Sequence, residues 1–129
     1  MISSDAFSYI NVLGKAADAS WTRESLIANN IANVDTPGYK RQDVDFQSVL
    51  RKEIGNYKYS NLDYKIKHMD LGELNPEIFT DYGNYSYRLD GNNVDIDTEQ
   101  VELASEQIKY QALTTSITSE FARLQSVIK

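Results

Sequence analysis

The chain is 129 residues long, one domain's worth of sequence, with 19 acidic against 13 basic side chains and a net charge of −6. That balance argues against nucleic acid and anionic membrane as main partners, since both demand a basic surface. With no cysteine it has neither a disulfide framework nor a thiolate metal site, and no stretch approaches the ~18 apolar residues of a membrane-spanning helix.

The first element is a long helix over 5–32. Met1–Leu13 has neither the basic start nor the continuous apolar centre of a secretory signal peptide. After a short lead, Ser4 or Asp5 is placed to cap the helix. Ile10, Leu13, Ala17, Ser20, Glu24, Ile27 and Ile31 then alternate at spacings of three and four, a coiled-coil seam with Ser20 and Glu24 as its polar members. Phe7, Gly14, Ala17 and Trp21 form an adjacent row, so the apolar surface is wider than one partner helix needs. Such a helix is roughly 42 Å long. Gly14 inside it costs about 1 kcal/mol against alanine, which points to close packing of another helix.

The helix ends in an asparagine-rich stretch, Asn29 to Lys40. Asn33 is a plausible stop, because asparagine tolerates the left-handed conformation of a C-terminal cap. Thr36-Pro37-Gly38-Tyr39 reads as a β-turn: Pro37 sets φ at the second position and Gly38 supplies a positive φ at the third. Pro37 also forces Thr36 out of helical geometry. Asn29 and Asn33 share a helix face, where their amides can meet the last helical carbonyls or the returning loop.

Residues 41–54 hold a second, short helical candidate, with Asp45 as cap, Phe46, Val49 and Leu50 on one face and Ile54 a turn on. Residues 56–89 carry six of the nine tyrosines. Tyr57-Lys58-Tyr59, Tyr64-Lys65-Ile66 and Tyr85-Ser86-Tyr87-Arg88-Leu89 alternate, with Asn61 and Asp63 as a turn between the first two, so the reading is a small, irregular, partly β insert. Its tyrosines suit an interface or the insert's own small core equally. Asp90-Gly91-Asn92-Asn93 is a turn whose spacing fails the calcium-loop pattern.

A last helix over 98–128 starts at Asp97, with Gln100 completing a capping box and Glu99 and Glu102 at the positive end of the dipole. Leu103, Tyr110, Ile117 and Leu124 recur every seven residues, and Leu113 and Phe121 fill the intervening turns. Thr114, Thr115, Ser116, Thr118 and Ser119 make an uncharged, hydroxyl-rich face suited to a packed interface. The length is roughly 46 Å, close to that of the first helix.

Catalytic chemistry is not evident. His68 is the single histidine, and no nucleophile–base set, phosphate loop or dinucleotide fingerprint occurs. The pairs Asp43/Asp45 and Asp95/Asp97 sit beside turns and helix starts, where capping accounts for them. No catalytic residue, cofactor or metal is expected.

The fold class that follows is mainly α: two long terminal helices in an antiparallel coiled-coil pair, with a small irregular, partly β insert. Residues 1–40 form the first helix and turn, 41–96 the short helix and insert, and 97–129 the last helix, packing with 5–32 as one inner helical domain. A hairpin of this size buries little area for independent stability. Its surplus faces are therefore expected to meet other subunits.

Asn30-Ile31-Ala32-Asn33, Thr36 and Gly38-Tyr39-Lys40 resemble the N-terminal signature of the bacterial flagellar rod and hook family, N-x-A-N-x-x-T-x-G-[FY]-[KR], at every position. Arg41 to Phe46 and Gly91 to Glu99 narrow the resemblance to its proximal rod members. The likeness covers roughly 5–55 and 90–129. It implies a structural subunit of the proximal rod, polymerising through its terminal helices around the export channel and transmitting torque. It implies that Asn30, Ala32, Asn33, Thr36, Gly38 and Tyr39 shape a turn wedged between neighbouring subunits. The implied partners are further copies of the chain, the rod protein FlgC, the ring-linking protein FliE with the inner-membrane ring, and the flagellar type III export apparatus. The implied location is the basal body, in a rod spanning the periplasm, reached without signal cleavage. The resemblance also implies terminal segments that order on assembly. The competing reading is a soluble helical adaptor or export chaperone that binds a partner's amphipathic helix.

Overall fold

In a computed structural model, describing residues 3–55, 60–82 and 88–128, the chain folds around its first helix. The elements are α1 (Ser3–Ala32), β1 (Gln42–Asp45), α2 (Gln47–Gly55), α3 (Leu62–Lys67), a single 3-10 turn (Leu71–Glu73), β2 (Glu77–Thr80) and α4 (Ile96–Ile128). The terminal helices, 30 and 33 residues long, run antiparallel, since Asn30 meets Glu99 and Trp21 meets Tyr110. None of the described helices is long and apolar enough to cross a membrane.

α1 serves two faces. One contributes Val12 and Ala19 to a core completed by Val44, Phe46, Ile66, Met69 and Leu74. Outside that core, Ile10, Ala17 and Ile27 are also buried, along the seam with α4. The small layer is therefore not a detached insert but the second wall of α1. Tyr9 donates its hydroxyl to Asp63 on α3, and Lys15 reaches Asn75 at 3.5 Å.

Three local assignments differ from the sequence reading. Residues 42–45, counted within the short helical candidate at 41–54 but ahead of its cap, form a strand paired antiparallel with Glu77–Thr80, Val44 opposite Ile78. Its partner lies far along the chain, so local periodicity carried no sign of it. The helix of this stretch begins only at Gln47, where Asp45 accepts from the Ser48 amide at 3.0 Å, so the cap itself is as expected. Tyr64-Lys65-Ile66 is helical, not extended. Asn61 is its N-cap, accepting from the Tyr64 amide at 2.8 Å, and a local cap outweighs a three-residue alternation. α4 begins two residues early: Asp95, not Asp97, is the capping side chain, accepting from the amides of Asp97 at 3.1 Å and Thr98 at 3.4 Å. The expected extended segment at 57–59 and the first three residues of that at 85–89 lie outside the described residues, and Arg88 and Leu89 lie in a turn, not a strand. His68 is exposed and stacks on Tyr64 with ring centroids 3.9 Å apart.

Leu74 is fully buried in the core beside α1. Leu74→Ala should lower stability by about 3 kcal/mol in urea denaturation. Leu89→Ala, at a fully exposed side chain, should change it by less than about 0.5 kcal/mol. Equal losses at the two sites would contradict this placement of the core.

Candidate functional site

The end of α1 is closed by its asparagines. Asn33 does not take a left-handed conformation, since no described non-glycine residue has positive φ. Instead its amide N–H bonds the carbonyls of Asn29 at 3.1 Å and Asn30 at 3.2 Å, and its side chain donates to Asn29 O at 2.8 Å. The helix thus tightens into successive turns, which satisfy its last carbonyls without a positive φ. Thr36 to Tyr39 is the expected β-turn. The Tyr39 amide bonds Thr36 O at 3.2 Å, and Gly38 has φ +72.

Asn30 is fully buried and links three parts of the molecule. Its Oδ1 accepts from the Gln42 amide and the Tyr39 hydroxyl, both at 2.9 Å. Its Nδ2 donates to Gln42 O at 2.8 Å and to Glu99 on α4 at 3.2 Å. A side-chain amide thereby pairs with β1 as another strand would. Asn29 donates in turn to the Tyr39 hydroxyl at 3.0 Å.

A second turn, Asp90–Asn93, clasps the first. The Gly38 amide bonds Asp90 O at 2.8 Å, and Lys40 reaches Gly91 O. Gly91 has φ +78, and a Cβ there would lie 3.9 Å from Gly38 Cα. Asn92, almost fully buried, directs its Nδ2 at the carbonyls of Asn33, Val34 and Thr36, each at 2.9 Å. Asn93 accepts from the Arg41 amide at 2.8 Å and donates to Asp81 O at 2.7 Å. The chain leaves this clasp directly into α4.

Below the clasp lies a network of charges. Arg23 on α1 bonds Asp43 of β1, Glu102 and Glu106, each at 2.8 Å. Arg41 bonds Glu99 at 2.5 Å and Asp43 at 3.1 Å, so Asp43 bridges both guanidinium groups. Glu99 and Glu106 are buried in the helix seam. Burial works against the charge of Arg23, but the bonds from Asp43, Glu106 and Glu102 outweigh it and raise its pKa. Burial likewise opposes ionisation of Asp43, and hydrogen bonds from Arg23 and the Val44 amide hold it below its ordinary pKa of 3.8. These carboxylates are committed to arginines, and no group able to hold a metal ion occurs among the described residues.

Asn30, Asn33, Thr36, Gly38 and Tyr39, singled out from the sequence, do meet in one place, whereas Ala32 and Pro37 are exposed at its rim. Of the expected helix interface, Ile10, Ala17 and Ile27 are buried, and Leu13, Ile31, Leu103, Tyr110, Leu113, Ile117 and Leu124 are half-buried. Phe121 faces outward. Sequence reasoning missed Arg23, Arg41, Asp43 and Asn92. It assigned Glu99 and Glu102 to the helix dipole, and Asp43 to capping, where the structure makes all three arginine partners. The available signal was Glu99 and Glu106 falling on the same four–three seam as Leu103 and Tyr110, since an acid in a seam requires a cation.

The model of a family described as flagella basal body rod protein matches residues 10–40, the distal part of α1 and the turn. Over nearly the whole chain there is similarity to proteins named flagellar basal body rod protein FlgB. The one from Bacillus subtilis is 38% identical over 120 residues, covering 92% of either chain. The one from Borrelia hermsii is 35% identical, covering 93% of this chain and 95% of its own. The one from Escherichia coli is 29% identical over 118 residues, covering 83% of each.

The depressed pKa of Asp43 sets a pH dependence. Its contribution to stability is complete above the ordinary value of 3.8 and is lost as pH falls through the lower value of the folded state. Asp43→Asn should therefore be less stable than the parent at neutral pH, and the gap should close on acidification below pH ~4. A gap unchanged across that range, measured by urea midpoints, would contradict the assigned bonding.

Proposed function

The chain belongs to the FlgB family of flagellar basal body rod proteins, and from that premise we propose how it builds the rod. It is a structural subunit of the basal body, and its family is a structural one. The soluble adaptor reading gives way to that membership. We place the subunit in the proximal rod, polymerising through its terminal helices around the export channel. Further copies of the chain, FlgC, FliE with the inner-membrane ring, and the type III export apparatus are its proposed partners. The rod it joins spans the periplasm, and export proceeds without signal cleavage. Torque passes through many distributed contacts, so no single residue acts as a catalyst does.

The observation that carries this reading is the clasp. Asn30, Gly38 and Asn92 tie the end of α1 to the start of α4, so both terminal helices are held in one register at one end. Ala32 at the end of α1 and the exposed turn residues Asp35, Thr36, Pro37 and Gly38 form an edge. In the proposal this edge is the wedge between neighbouring subunits. The outer helix residues left exposed in the free chain, Phe121 at 47% among them, meet those neighbours.

Gly38 offers a direct test. Space is available, for a Cβ there would meet nothing within 4 Å, but φ is +72. Gly38→Val should therefore be strained by backbone conformation alone, by about 1–2 kcal/mol, enough to distort the exposed edge while leaving the core folded. Cells carrying it should lose motility and incorporate less of the subunit into isolated basal bodies. Normal incorporation would remove the turn from the assembly mechanism.

A further inference from the structure

α4 carries its charges inward. Glu99 and Glu106 are buried and Glu102 and Glu120 half-buried, whereas from Thr98 to Ile128 the exposed charges are Lys109 and Arg123. Its outward stripe runs from Val101 to Ser126 at alternating spacings of four and three, and every position on it is exposed and uncharged. Val101 is 67% and Ile108 69% exposed. α1 has a counterpart running from Phe7 to Ala32 at the same spacing, with Phe7 43% and Trp21 59% exposed and Asp18 its one charge. The two stripes have the same length, about 38 Å. Large apolar side chains left in water on both, in register with small uncharged ones, are the pattern of a helix seam without its partner.

We propose that the outward stripe of α4 in one copy packs antiparallel on the outward stripe of α1 in a second copy, with Val101 opposite Ala32. This rests on the reading that copies of the chain meet through their terminal helices, and it names the faces and the register. In this register each large residue faces a small one: Ile108 faces Ser25, Trp21 faces Ala112, and Phe7 faces Ser126. Gly14 faces Ser119, which lets the backbones approach closely. Asp18 faces Thr115, whose hydroxyl can donate to the carboxylate, and no charge faces another. A parallel arrangement starting from the same ends sets Val101 against Phe7 and Ala122 against Ala28, crowding one layer and emptying another. Pairing α4 with α4 leaves Trp21 and Phe7 in water and, being isologous, closes at two copies. The α4-to-α1 contact is heterologous: each added copy presents a free stripe of each kind, and the assembly continues.

The chain has no cysteine, so engineered pairs report contacts cleanly. Ser105 faces Ala28 in the proposed register. Differently tagged Ser105→Cys and Ala28→Cys chains would be co-expressed, and basal bodies isolated and oxidised. Circular dichroism of each purified variant checks that it folds as the parent does. The expected result is a shift of both monomer bands to a single mixed-tag dimer, with loss of that band when Ser116→Cys replaces Ser105→Cys. Both variants incorporated without a mixed dimer, or a dominant dimer between two Ser105→Cys chains, overturns the seam while leaving the rod reading intact. Absence of the cysteine-free parent chain from the basal bodies overturns that reading and the seam with it.

Discussion

Two carboxylates buried in a helix seam require cations, and that requirement organises this molecule. Glu99 and Glu106 lie on the inward face of α4, where a coiled coil normally places leucine. An unpaired charge there would cost several kcal/mol. Arg23 and Arg41 supply the partners from opposite sides, one from within α1 and one from the strand entrance beyond the turn. Because Asp43 bridges both arginines, β1 is bound into the same network. Sliding α4 would move Glu99 away from Arg41 and Glu106 away from Arg23 while the Asp43 pairs stayed in place, so the charges help set the register that the half-buried apolar residues of α4 leave loosely defined.

The clasp of the two turns follows from that register. Once α1 and α4 are aligned, the start of α4 must lie beside the end of α1, and the two connecting turns meet. Glycines at 38 and 91 supply the positive φ that these turns take, a backbone conformation and not a shortage of space being what calls for them. Asparagine is the side chain suited to what remains, carrying donor and acceptor on a short, stiff stem. Asn30 extends β1, Asn33 closes α1, and Asn92 draws three carbonyls of the first turn onto one amide. The recurrence of asparagine across the signature thus has one cause: backbone groups from distant segments converge where no regular ladder can form. With most charges drawn inward, α4 turns an uncharged stripe outward and α1 one with a single charge, which suits a subunit whose neighbours complete its burial.

Much of the fold was legible in the sequence. Helical spacing located α1 and α4, and proline followed by glycine located the turn, because these signals are local. The strand at Gln42–Asp45 was not legible, since it depends on a partner at Glu77–Thr80. Tyr64 misled through an alternation too short to outweigh the cap at Asn61. At the site, Asn30, Gly38 and Tyr39 stood out by pattern, whereas Asn92 looked like one more turn residue. Arg23 was invisible until its partners were in space, being half-buried and drawing them from β1 and α4.

Arg23 is held by the burial of its partners and not by surface pairing. A double-mutant cycle on Arg23 and Glu106, read by urea denaturation, separates the two. Arg23→Met should cost roughly 3–5 kcal/mol, because it leaves Glu106 charged and enclosed. Adding Glu106→Leu should restore much of that loss, since the enclosed charge is then gone. A near-neutral Arg23→Met, or a double variant whose loss is the simple sum of the two singles, would mean that Arg23 and Glu106 pair only as surface charges do.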